Sequence, residues 1–219
     1  MLTTSRIGVL VVLCTAECAR ATAPTAPSVS LQIARLALSA ESAAGRSEQE
    51  TSSTRRRELV AEAARDAAAC LALDAHAGAC EYAQGLALGV EARGHPLRAL
   101  GLVRQMLAWL ARAEAADADH AYAGAARVQA QVLSQAPGWP LGPGNLRSAA
   151  AAAQRAVERH PEYPPNWLVL AAVQVRRDDR AGARTSYQRA LALAQTLPSS
   201  EDRQDWIREA RAGLATTSR

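Results

Sequence analysis

The residues best able to do chemistry in this 219-residue chain are four histidines, four cysteines and one glycine-rich segment. His76, His95, His120 and His160 each fall in or beside a break between helical patterns. None has a Cys or His partner at the spacing a metal site requires, so they read as surface histidines and no metal or cofactor is expected. Cys70 and Cys80 flank a short turn. Two helix ends joined that closely are neighbours, so the pair predicts a disulfide in an oxidising compartment, or else two small buried residues at alanine positions. Leu141-Gly142-Pro143-Gly144-Asn145 carries glycines, but its prolines and the lack of a lysine argue against a phosphate cradle. Carboxylates are plentiful, yet none stands in a catalytic motif. The chain reads as a binding protein, not an enzyme.

The elements that must position these residues are helices. Apolar residues make up 49% of the chain and aromatics only 4%, with no Phe. Alanine dominates and has the best helix propensity. No stretch alternates with period two, so no strand is expected. Every basic residue is Arg, and the net charge is +4. The arginines alternate with Asp and Glu along helical patterns and have no interleaved aromatics, which reads as solvated helix faces and excludes a nucleic-acid groove.

The amino terminus reads as an export signal. Arg6 precedes an apolar run from Ile7 to Cys14, and Ala19-Arg20-Ala21 supplies a cleavage site, with Ala21-Thr22-Ala23 as an alternative. The run is too short to span a bilayer. Leu13 and Glu17 precede Cys14 and Cys18 where a lipid-attachment motif wants small residues. A soluble periplasmic or secreted form is therefore expected over a lipid-anchored one. Residues 22–30 read as a Pro/Ser linker, and residues 31–219 as one helical domain. Leu31–Ser42 has a helical pattern, Gly45–Thr54 a loop pattern.

From Arg55 onward helix ends repeat. Those at Ala156-Val157 and Ala190-Leu191 lie 34 residues apart, the tetratricopeptide period, and earlier intervals are 43. The segment 164–194 fits that consensus at Trp167, Leu170, Ala171, Ala183, Tyr187, Ala190 and Leu191, small residues falling where helices cross. The expected fold is all-α: tetratricopeptide-like antiparallel pairs at about 55–115, 116–160 and 161–195, stacked as a short solenoid and capped by a helix at 200–215, with Ser200 as its N-cap.

Residues 113–175 resemble the T-component family of TRAP (tripartite ATP-independent periplasmic) transporters. The resemblance is carried by Ala136-Pro137-Gly138-Trp139-Pro140-Leu141-Gly142-Pro143-Gly144-Asn145, by Ala156-Val157, and by Pro161-Glu162-Tyr163-Pro164-Pro165-Asn166. It implies an exported helical protein that associates with a periplasmic solute-binding subunit. Gln129 and Ala130 depart from it, standing where a more apolar step belongs. A generic periplasmic adaptor for envelope assembly is the other reading. In both, the first helix of each pair lines a concave partner face. Tyr82, Leu86, Tyr122, Leu168 and Ala172 are the residues expected there, with Trp139, Tyr163 and Asn166 on adjoining connections. Trp139 is either a plug between pairs or an exposed anchor. Self-association is left open.

Overall fold

The structure, a computed structural model, describes residues 28–217. The export signal at 1–21, Cys14, Cys18 and the linker up to residue 27 lie outside the described residues. What is described is all-helical, with nine helices and no strand among these residues. They are α1 (Val29–Gln49), α2 (Ser53–Leu73), α3 (Gly78–Gly94), α4 (Ala99–Ala116), α5 (His120–Gln135), α6 (Leu146–Arg159), α7 (Pro164–Arg176), α8 (Arg180–Thr196) and α9 (Glu201–Thr217). Among the described residues no helix is long and apolar enough to cross a membrane.

The helix starts are set locally. Ser28, Ser52, Asn145 and Asp179 each accept a hydrogen bond from a first-turn amide of the helix they precede. Ser200 does the same for Arg203 at 3.1 Å, as its N-cap position predicts. Pro164 and Pro165 open α7, where their missing N–H groups cost nothing.

Each helix packs on the next. The tightest partnerships are α1 with α2, α3 with α4, α5 with α6 and α7 with α8, and α9 lies on α8. Within α3 and α4 the antiparallel register is plain: Gly78 lies beside Asp117, Gly85 beside Leu110 and Gly89 beside Met106. The odd-numbered helices also touch in succession, α1 to α3, α3 to α5, α5 to α7 and α7 to α9. They form one layer, and each even-numbered helix packs against it. Loops 50–52, 95–98, 136–145 and 177–179 therefore gather at one end, and loops 74–77, 117–119, 160–163 and 197–200 at the opposite end.

Alanine fills the core. Ala40, Ala43, Ala63, Ala67, Ala83 and Ala87 are buried where α1, α2 and α3 meet. Ala171 and Ala183 are fully buried at the α7–α8 crossing. Small side chains let helix axes approach closely, and close packing supplies the dispersion contacts that a large apolar residue would otherwise provide.

Two sequence expectations need correction. The first helix starts at Val29, inside the expected linker, and runs through Gln49, into the expected loop at 45–54. Ala43, Ala44 and Ser47 are buried, and that packing outweighs the polar look of the last turns. Consequently α2 folds back on α1, and the span 55–115 holds three helices instead of one pair.

Candidate partner-binding groove

The odd-numbered helices display one repeated pattern. Glu41, Ala44, Gly45 and Glu48 on α1 stand at positions i, i+3, i+4 and i+7, one helical stripe. Leu86, Gly89, Val90 and Arg93 repeat it on α3, and Val128, Gln131, Val132 and Gln135 on α5. Pro165, Leu168, Val169 and Ala172 repeat it on α7. The four stripes line two adjoining cavities that share Gln131 and Gln135 of α5. The first, about 530 Å³, is closed from the side by Ala99, Val103 and Met106 of α4. The second, about 260 Å³, is bounded by Arg127 and by Trp206 and Glu209 of α9.

The first cavity is lined mainly by apolar side chains, with Glu41, the Gln131 and Gln135 amides and a rim pair in which Arg93 Nη2 lies 2.8 Å from Glu48 Oε1, and the second adds Arg127, Ser134 and Glu209. That is the chemistry of a surface that buries an apolar stripe and fixes it with one or two directed hydrogen bonds.

At the opposite end of these helices the rings interlock. Tyr82 meets His120 edge-on, centroids 5.2 Å apart. Tyr122 meets His160 edge-on and stacks on Tyr163 at 4.5 Å. Tyr163 in turn meets Trp206. Burial pushes the Tyr82 hydroxyl up to about 12, against the opposing pull of Arg127. His120 Nε2 lies 2.8 Å from Glu41 Oε1, a contact reaching across 79 residues from α5 to α1. That hydrogen bond raises the His120 pKa above its ordinary value, more than burial lowers it.

Ala121, Tyr122 and Ala123 are left-handed, with φ of 51°, 56° and 59°. A non-glycine residue there costs about 1–2 kcal/mol. Arg127 stabilises the turn by donating to the carbonyls of Ala121 and Tyr122. It also donates to Asn166 Oδ1 at 3.0 Å and lies 5.1 Å from the Tyr163 ring centroid. Asn166 Nδ2 donates to the carbonyls of Ala156, His160 and Tyr122.

The expected partner residues divide. Leu86, Leu168 and Ala172 lie on the groove stripes. Tyr122 is 54% exposed and Tyr163 half-buried, both in the ring ladder beside the groove. Tyr82 and Asn166 belong to the interior: Tyr82 is 5% exposed, held under Gly124 and His120, and Asn166 is fully buried as a four-bond clamp. Neither lines the two cavities. Trp139 stands apart from the groove lining and is 90% exposed, so it is not a plug.

His76 and His95 are exposed, whereas His120 and His160 are half-buried members of the ring ladder, not free surface groups. Among the described residues no group of side chains could hold a metal ion. Gln129, polar where an apolar residue was expected, is buried with its Nε2 donating to Glu114. Glu114 also takes Arg155; burial raises its pKa, but those two hydrogen bonds pull it below its ordinary value.

Cys70 and Cys80 are both fully buried with Cα atoms 5.3 Å apart and their sulfurs at bonding distance, which ties α2 to α3. The Gln131, Gln135, Val128 and Arg127 contributions were missed from the sequence. The stripe through Leu86 and Leu168, extended to the third helix, would have found the first three.

These features define an all-helical, disulfide-tied protein with a groove across one helix layer. No protein-family model matches the chain, and no curated protein matches it.

Proposed function

We propose that the chain is an exported, tetratricopeptide-like solenoid that holds a segment of a partner protein in the groove across α1, α3, α5 and α7, as a T-component would hold its periplasmic solute-binding subunit. The observation carrying this reading is the fourfold repetition of one stripe on successive helices. A surface repeated in register suits a continuous, extended ligand better than a compact one. The Cys70–Cys80 bond supports an oxidising compartment, in keeping with the export signal read at the amino terminus. The groove holds its ligand and does not transform it.

The test is capture from the envelope of the native cell by immobilised protein, with Val132→Arg as the control. Val132 lines the first cavity and is only half-buried, so the variant should fold. Recovery of a solute-binding subunit by the parent protein and not by the variant is the expected result. Recovery of envelope-assembly proteins instead favours the adaptor reading. Equal recovery by parent and variant sinks the groove.

A further inference from the structure

The two ends of the helix stack carry opposite charge. In loops 50–52, 95–98, 136–145 and 177–179, with one helical turn on either side, there are nine arginines against five acidic residues. In loops 74–77, 117–119, 160–163 and 197–200, bounded the same way, there are two arginines against nine acidic residues. The basic end also carries the most exposed large apolar side chains of the described residues: Leu97 is 103%, Trp139 90% and Leu141 71% exposed.

The loop bearing Trp139 and Leu141 is built, not slack. The Gly144 amide donates to Pro137 at 2.8 Å, the Leu141 and Gly142 amides donate to Gly138, and the Asn145 amide donates back to Leu133. A Cβ at Gly144 would overlap the Ala136 carbonyl, so the loop closes only with glycine there. Hydrogen bonds and prolines hold the tip, while none of the described residues covers its tryptophan.

We infer that this basic, apolar-tipped end docks on the surface of an anionic lipid bilayer. Tryptophan favours the headgroup region, where its ring is half-desolvated and its N–H still finds a partner. Arginines at the same end are drawn to anionic headgroups, Arg147, Arg176 and Arg177 first, since Arg46, Arg55, Arg93, Arg98 and Arg180 already face carboxylates, and short-range insertion adds to that attraction. The acidic end is repelled and points away, so the charge separation fixes the orientation. The contact made by this end is peripheral, since no helix among the described residues is long and apolar enough to cross a membrane. It adjoins the groove, since Glu48, Arg93, Ala99 and Ala136 at this end also line the first cavity.

Flotation of the purified protein with vesicles tests this. Vesicles of phosphatidylcholine mixed with phosphatidylglycerol should carry the protein, and phosphatidylcholine alone should not. About 0.5 M salt should release it, because headgroup attraction is screened. Brominated acyl chains should quench the Trp139 emission, a loss that disappears in Trp139→Ser. The double variant Trp139→Ser, Leu97→Ser should float about tenfold less while its helical circular dichroism is unchanged, because neither side chain is buried. Equal binding to neutral vesicles, no binding to anionic ones, or undiminished binding of the double variant would each overturn the inference. So would displacement from anionic vesicles by poly-glutamate at equal charge, which would make the partner an acidic polypeptide.

Discussion

Arg127 and Asn166, 39 residues apart, meet through a 3.0 Å hydrogen bond at the foot of the left-handed turn 121–123. The guanidinium holds that turn's carbonyls, and the amide ties the same guanidinium to the end of α6. Interior glycine ordinarily costs a helix about 1 kcal/mol. At Ala121 the sign should reverse, because glycine accepts positive φ without the Cβ penalty. Ala121→Gly is therefore expected to gain about 1 kcal/mol in chemical denaturation. A loss of stability would mean that residue 121 is not left-handed in solution.

Asn166→Leu tests the other half of that relationship. The side chain is fully buried, and its loss takes one acceptor from Arg127 and one donor from each of the Ala156 and His160 carbonyls, which keep the His160 and Tyr163 amides. Breaking a buried hydrogen-bond cluster costs about 1–3 kcal/mol, and the variant should lose stability in that range. A melting temperature within a degree or two of the parent would show that water replaces the amide, and the clamp would then not be needed.

Glycine position decides a second pair of outcomes. A Cβ at Gly213 would overlap the Tyr187 ring, whereas one at Gly45 meets nothing within 4 Å. Both lie inside helices. Gly45→Ala should gain about 0.5–1 kcal/mol from restricted unfolded states. Gly213→Ala should lose about 1–3 kcal/mol, the overpacking cost outweighing the better propensity. Thermal melts of the two variants moving in the same direction would contradict the packing of α9 on α8.

The fold was legible where the signal was local. Ser200 as an N-cap, the crossing alanines Ala171 and Ala183, and the proximity of Cys70 and Cys80 follow from residue type, period and turn length. The extent of α1 was not legible: its last turns, Arg46 to Gln49, are polar and helical only because Ala43, Ala44 and Ser47 pack against neighbours far along the chain. The groove was half legible. Leu86, Leu168 and Ala172 carry the stripe in recognisable repeats, while α5 hides it, with two glutamines on the stripe and a left-handed first turn that shifts its phase. Tyr82 and Asn166 were misplaced for one reason. Polar-tipped side chains near helix starts look like surface anchors until their burial is known.

Cys70 and Cys80 join α2 to α3 across ten residues and are shielded from solvent. Removing both sulfurs as Cys70→Ala, Cys80→Ala should cost about 2–3 kcal/mol, the loop being short. The native protein should resist dithiothreitol until partly unfolded, so thiol labelling should track denaturant. Prompt labelling without denaturant would mean that the α2–α3 turn opens freely.

The last expectation concerns pH and the contact between His120 and Glu41. The folded-state pKa of His120 is raised, first by the Glu41 hydrogen bond. Protons therefore bind the folded protein more tightly than the unfolded one, and the stabilisation is fully present below the ordinary imidazole value of 6.5. It is lost as pH rises through the folded-state value, when the imidazole becomes neutral and its attraction for Glu41 goes. The other groups facing this contact are Tyr82, whose hydroxyl burial pushes up to about 12, and Asp117, whose charge also raises His120. Melting temperature should fall between pH 6 and pH 9, and His120→Gln should flatten that part of the curve while leaving the acid limb in place. The bridge reaches from α5 to α1, so the loss should appear first as hydrogen exchange in α1. An unchanged pH profile in His120→Gln would remove the bridge from the account of how the first helix pair is held to the rest.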